Sequence, residues 1–320
     1  MLSGLYASFV STLSAFASKR ALRQFGHGRF RMRSCPPRPA RPSRNDAAYG
    51  RHPYGGALPD RSKSRMTTVR DGLVPGHHAV ERLVAARQAG VQAIWDLSHY
   101  HRNQDPARCA RIAAEAALAV NGHEKLWLCP VNEPSLYPVL AGMPRHEAIG
   151  MAVTMARVAR DYHPGVGILT NDPITGIGDR QFEATDAIVS AVDVDVIGIN
   201  YYPHTARTSL TKVLLTTWRR YRKPIMVSET SWHDGHPVHH RRHPGLHKGG
   251  WFRHVLDQVD VARFHGAVVV GVCWYPVVDC PPWHAPYSPN RWSHGLIKRD
   301  LSVDASLSAE LACLGFRDAA

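Results

Sequence analysis

The chain has 320 residues, 44% hydrophobic and 20% charged, a globular balance that excludes a collagen, a coiled coil and a chain disordered throughout. No apolar run approaches the roughly 18 residues that span a bilayer, so no membrane partner is expected. The formal charge of +13 is concentrated in residues 1–65, which hold 13 Lys and Arg against Asp46 and Asp60; residues 66–320 are near neutral and argue against a nucleic-acid partner.

Residues 1–65 read as a basic Pro/Arg-rich leader. The run Cys35-Pro-Pro-Arg-Pro-Ala-Arg-Pro-Ser-Arg44 carries no helical or strand period and too little apolar surface to offset its ordering entropy, so the leader is expected to be disordered. Leu2 to Ala17 is apolar and Ser-rich, but the positive charges follow it, the wrong order for a secretory signal. An organelle transit peptide is the other targeting reading of an acid-poor start. The six cysteines, at 35, 109, 129, 273, 280 and 313, form no CxxC pair and read as reduced thiols of a cytoplasmic protein.

From Met66 onward the pattern becomes periodic. Apolar, β-branched runs at 67–71, 91–97, 126–131, 166–170, 192–199, 224–228 and 267–274 predict strands. Helix-like stretches such as 78–89 and 106–120 lie between them, the second opened by Pro106. Strand ends recur roughly every 30 residues, the length of a βα unit, which predicts a parallel sheet. The expected fold is an α/β (β/α)8 TIM barrel over 66–320, with seven strands visible and no identifiable first strand. A doubly wound open sheet is the alternative, but no GxGxxG follows an early strand.

Polar residues cluster at the predicted strand ends: Arg70-Asp71, then Asp96 to His101, Asn132-Glu133-Pro134, Asn171-Asp172, Asn200-Tyr201-Tyr202, Glu229-Thr230-Ser231-Trp232, and Trp274 to Asp279. In a TIM barrel these positions share one mouth, where the chemistry sits. Glu133 and Glu229 each follow an apolar strand directly, three units apart, and are expected to face one another. Paired carboxylates of this kind are what glycosidic cleavage requires.

These segments together resemble the retaining glycoside hydrolases of the clan A (β/α)8 type, particularly the family 1 β-glucosidase group. Asn132-Glu133-Pro134 resembles the motif bearing the acid/base glutamate and an Asn that binds the sugar 2-hydroxyl. Ser228-Glu229-Thr230 resembles the nucleophile segment. Asn200-Tyr201-Tyr202 resembles a motif whose first Tyr touches the nucleophile. Arg70 matches an Arg beside the nucleophile, and His99 a His that binds a sugar hydroxyl. Cys273-Trp274 through Asp279 and Trp283 resembles the loop after the last strand, with Trp274 and Trp283 as platforms for sugar faces. The resemblance implies a β-glycoside substrate, a retaining mechanism and no cofactor. It covers about residues 66–300 and departs from the family in three places. The first strand with its sugar-binding Gln has no counterpart, the nucleophile lies in Ser-Glu-Thr, and Cys280-Pro-Pro replaces the stretch with a sugar-binding Glu.

Two other readings compete. Histidines crowd 233–247, and His239, His243 and His247 have the spacing of one helix face. Pro244 and Gly245 interrupt that helix, and no HExxH is present, so no metal is expected and a metal-dependent hydrolase is a minor alternative. The second is a barrel that binds sugar without cleaving it, which the missing first strand favours.

Overall fold

The computed structural model describes residues 12–15, 66–73, 79–88, 92–102, 104–121, 126–277, 279, 293–298 and 302–310. Seven parallel strands form the sheet: β2 (Met66–Gly72), β3 (Gln92–Asp96), β4 (Trp127–Cys129), β5 (Gly167–Asp172), β6 (Val196–Asn200), β7 (Ile225–Thr230) and β8 (Val269–Trp274). Each pairs with the next in parallel register. β5 to β8 are buried at every position, the mark of strands covered on both faces.

A short strand from within the expected leader, β1 (Thr12–Ala15), completes the ring. It runs antiparallel to both neighbours, with Thr12 opposite Arg70 and Leu13 opposite Trp274. The sequence reading placed no strand here, because Thr-Leu-Ser-Ala is too short to show a period. The rest of the leader lies outside the described residues.

Helices fill the crossovers: α1 (Ala79–Gln88), α2 (Pro106–Asn121), α3 (Tyr137–Leu140), α4 (Arg145–Tyr162), α5 (Glu183–Ala191), α6 (Leu210–Tyr221), α7 (Pro237–Arg242) and α8 (Lys248–Phe264). Their seating on the barrel follows from side-chain period. In α4 the buried residues are Ala148, Met151, Ala152, Met155, Ala156 and Ala159, one apolar stripe. Among the described residues no helix is long and apolar enough to cross a membrane.

Two outer apolar clusters lie between sheet and helices. A third joins Ile94, Trp127, Cys129, Leu169, Val196, Met226, Val270 and Cys273, alternate positions of β3 to β8, and fills the barrel interior. Close approach inside the ring requires glycine twice. A Cβ on Gly167 would meet the Trp127 ring at 2.5 Å, and one on Gly198 would collide with the Thr170 carbonyl.

Candidate active site

The C-terminal strand ends converge on one buried polar cluster. Arg70, from β2, is fully buried. Its Nε and Nη2 donate to the two Asp96 carboxylate oxygens at 2.8 Å each, the bidentate geometry a guanidinium favours. Nη1 donates to Glu229 Oε1 at 2.7 Å, and Nη2 also reaches Asn132 Oδ1 at 2.6 Å. Although burial disfavours the cation, the neighbouring Asp96 and Glu229 charges hold Arg70 firmly protonated. Against the cost of its own burial, Asp96 is held below the usual carboxylate range by Arg70.

Glu229 ends β7 with both oxygens engaged, the second accepting from the Tyr202 phenol at 2.6 Å. Glu133 is also buried and, among the described residues, hydrogen-bonds to no cation. Its Oε1 accepts from Asn200 Nδ2 at 2.7 Å, and its Oε2 accepts from the Tyr100 hydroxyl. Burial first, and the Glu229 charge second, push its carboxyl up to about 8; the bonds from Tyr100 and Asn200 oppose the shift. The two carboxyls thus sit in unlike surroundings, Glu229 against a guanidinium and Glu133 held toward its neutral form.

Glu133 sits in left-handed backbone, φ 48° and ψ 61°, a conformation that costs a non-glycine residue energy and persists only where its surroundings enforce it. The enforcement is local. Glu133 N–H donates to the Asn171 carbonyl at 3.0 Å, and Leu136 N–H returns to the Glu133 carbonyl at 2.9 Å. Ser135 donates its backbone N–H at 3.0 Å and its hydroxyl to Asp172. Asp172 is buried, and burial raises it to about 6 against those bonds.

Of the expected residues, Arg70, Asn132, Glu133, Asn200 and Glu229 lie in this one network, with His99 at its edge. His99 Nε2 is 3.4 Å from the Asn132 amide and its Nδ1 3.7 Å from Asp96. Three expectations are corrected or redirected. Tyr201 meets Glu229 only through the backbone, its N–H donating to the Glu229 carbonyl at 2.8 Å, while its hydroxyl donates to the Thr208 carbonyl at 2.6 Å and its ring stacks on Trp251. Side chains alternate across the sheet, so with Asn200 inward Tyr201 turns outward and Tyr202 returns to the mouth. A register shift at Ile199–Asn200, where one step on β6 matches two on β7, brings Asn200 opposite Glu229.

Trp274 fails as a sugar platform for the same reason. Cys273 faces the barrel interior and Trp274 the outer layer, edge-on to Phe252, with its indole N–H donating to the His294 carbonyl at 2.8 Å. Asp279 accepts the Gly295 N–H at 2.7 Å and braces 293–298 rather than joining the carboxylates. Trp283 lies outside the described residues.

The residues not singled out from sequence are Asp96, Tyr100, Tyr202, Asn171, Ser228 and Tyr275. Asn171 lies against the Asn132 amide and the Ser228 hydroxyl. Tyr275 stands close enough to Tyr202 to act on it electrostatically. All except Ser228 stood among the polar strand ends already noted, and the two-residue period would have selected Tyr202 and Tyr275.

The histidines group differently from the expected helix face. α7 ends at Arg242, so His243 and His247 lie beyond it. The structure brings His204, His236 and His239 together instead. Burial and then the neighbouring His236 lower His204 to about 4 and His239 to about 3. A separate cleft lined by Leu215, Trp218, Arg219, Arg222 and His265 opens at the C-terminal ends of α6 and α8, on the face away from the carboxylates.

Over residues 175–242 the sequence matches the model of Glycosyl hydrolase family 53, a stretch that holds Asn200, Tyr202, Glu229 and the histidine trio but not Glu133. A comparison with curated proteins finds no match. Among solved structures, the β-glucosidase from Thermotoga maritima, in complex with methoxycarbonyl-substituted glucoimidazole, aligns with a TM-score of 0.59 at 12% identity, over 78% of this chain and 83% of its own. The GH53 catalytic domain from Ignisphaera aggregans aligns with a TM-score of 0.55 at 17% identity, over 78% and 85%. The β-glycosidase from Pyrococcus horikoshii aligns at 0.51 with 16% identity, over 73% and 74%. At these identities the likeness establishes the fold, and the chain has the (β/α) barrel architecture of the glycosidases.

Proposed function

We propose that the chain is a β-glycoside hydrolase acting with retention, Glu229 as nucleophile and Glu133 as acid/base. The observation that carries this reading is the asymmetry of two buried carboxyls at one barrel mouth, one held by Arg70 and Tyr202, the other bonded to Tyr100 and Asn200 and raised to about 8. Glu229, compensated by the guanidinium, attacks the anomeric carbon as the C–O bond to the leaving group breaks. Glu133 delivers its proton to the departing oxygen. Forming the glycosyl-enzyme ester removes the Glu229 charge, so the force that kept Glu133 protonated weakens. Glu133 then takes a proton from the incoming water, which releases the sugar with its original configuration. Asn132, fixed by Arg70, is placed to bind the sugar 2-hydroxyl as positive charge develops at the ring. Asp96 holds Arg70 in plane and acts only through it.

A second reading, a barrel that binds sugar without cleaving it, is favoured by β1. Its four antiparallel residues stand where the family has a parallel strand carrying a sugar-binding Gln.

Aryl β-glycosides and azide separate the two. Wild type is expected to turn over nitrophenyl glycosides. Glu229→Gln should lose at least about a thousandfold for every leaving group. Glu133→Gln should be severe for poor leaving groups and mild for nitrophenolates in the first step. Azide should yield the inverted glycosyl azide with Glu229→Ala and the retained one with Glu133→Ala. Equal losses in both variants without azide products would overturn the assignment of the two glutamates, and no wild-type turnover with sugar still bound would establish the binding barrel.

A further inference from the structure

We propose that His204, His236 and His239 form a binding site for a divalent transition-metal ion of the zinc type. The three come from two loops that follow β6 and β7, 32 residues or more apart in sequence for His204 and the other two. One ring nitrogen of each lies within 4.8 Å of the others. His204 Nδ1 and His239 Nε2 are 3.1 Å apart. Two imidazoles on a tetrahedral ion with bonds of about 2.0–2.1 Å place their nitrogens roughly 3.3 Å apart and their ring centres roughly 5 Å apart. The His204 ring centre is 5.2 Å from that of His236 and 5.3 Å from that of His239, and the three rings stack within 27° of parallel, so they turn to aim their nitrogens at a shared ion. The His236 and His239 rings, 4.2 Å apart, open slightly on loading.

The donor set selects the ion. Three imidazoles suit zinc, copper or nickel and reject magnesium and calcium, which take oxygen ligands. His239 is buried, His236 partly so and His204 exposed, which leaves one side open for entry and for a water as fourth ligand. His239 on α7 and His236 at its N-cap each bring a cost. His239 Nδ1 accepts the His233 N–H at 3.1 Å and His236 Nδ1 the Val238 N–H at 3.3 Å, so the ring proton of each sits on Nε2. Coordination through Nε2 moves that proton to Nδ1 and gives up the two backbone bonds, with no net proton release. Micromolar affinity, not the far tighter binding of dedicated zinc modules, is the consequence.

The site's place in the fold gives it a structural role. The Tyr202 ring lies 5.6 Å from that of His204, and Tyr202 bonds Glu229. An ion on the trio would therefore pin the β6 loop to the β7 loop directly behind the carboxylate wall. This holds whether or not the barrel cleaves glycosides.

The test uses the full chain, treated with chelator and then titrated with Zn2+ by calorimetry and with Co2+ by its ligand-field absorption. Because the chain has 20 histidines, the readout is compared among variants. Wild type and His146→Ala, an exposed histidine on α4, should bind one ion alike, with a tetrahedral cobalt spectrum and a rise in melting temperature. His204→Gln and His236→Gln should each weaken binding at least tenfold and abolish the thermal shift, while keeping the metal-free melting temperature. Equal zinc affinity in wild type and the His204→Gln/His236→Gln double variant, or an octahedral cobalt spectrum, would overturn the proposal.

Discussion

Arg70 sets the polarity of the site because one guanidinium serves Asp96, Glu229 and Asn132 at once. Glu133, at the other side of the mouth, is left to hydroxyl and amide donors, and among these Tyr100 opposes the upward shift of its carboxyl. That opposition gives a directional prediction. Tyr100→Phe deletes a bond that favours ionised Glu133, so the alkaline limb of kcat/KM, expected near pH 8, should move upward by about half a unit to one unit. A pH profile in wild type and variant checks this; a downward move would remove Glu133 from the acid role. Glu133, Glu229, Arg70 and Asn132 were legible in the sequence because each stands next to an apolar strand in a compact motif. Their partners were not, since Asp96 lies 26 residues from Arg70, and Tyr100 33 from Glu133. Only the wrapping of the barrel makes them neighbours. The two-residue period of β6 selects Tyr202 over Tyr201, whereas the register shift that sets Asn200 opposite Glu229 leaves no mark in composition.

At the scale of elements, all seven parallel strands were readable as short apolar runs, because strands buried on both faces admit little else. Their starts were not. The run 192–199 reads as one strand, yet only Val196–Asn200 joins the ladder. Val192 still donates to the Ile188 carbonyl of α5, and the Asp195 carboxylate accepts the Ile168 N–H, so the stretch between is a turn. β1 was invisible for the opposite reason, since four residues of mixed polarity predict nothing alone. Its position carries a consequence. β1 lies between β2 and β8, the two ends of the parallel sheet, and without it both present unpaired backbone groups. A chain beginning at Met66 is therefore expected to elute from size exclusion as aggregate or oligomer, whereas the full chain should give a monodisperse peak under the same conditions. A soluble, monodisperse 66–320 with an unchanged melting temperature would show that β1 contributes nothing to closure.

For the molecule as a whole, the buried ionisable groups divide into two sets that pull stability in opposite directions with pH. Glu133 rises from 4.5 to about 8 and Asp172 from 3.8 to about 6 on folding. A carboxyl raised in the native state stabilises fully below its unfolded pKa, and that contribution is lost as pH climbs through the folded value. The histidines are the reverse. His204 and His239 fall from 6.5 to about 4 and about 3, so their contribution is present above 6.5 and lost as pH drops toward those values. Asp96, held down by Arg70, adds to the loss on the acid side. Between about pH 4 and 6.5 the histidines outweigh the carboxyls, because burial lowers His101, His233, His236, His243, His254 and His294 as well, so stability falls as pH drops through this range. Well above 6.5 the histidines are neutral in both states and Asp172 is ionised, whereas Glu133, raised to about 8, still binds a proton in the native state that the unfolded chain has released. Urea unfolding should therefore show stability falling from pH 6.5 to 8, and the loss should belong to one residue. Glu133→Gln keeps the shape and the Asn200 contact without the titration. It should flatten that limb, leaving the variant more stable than wild type at pH 8 by on the order of 2–4 kcal/mol, with the difference shrinking steadily toward pH 5. A limb that survives the substitution would place the titrating proton elsewhere and with it the acid of the proposed reaction.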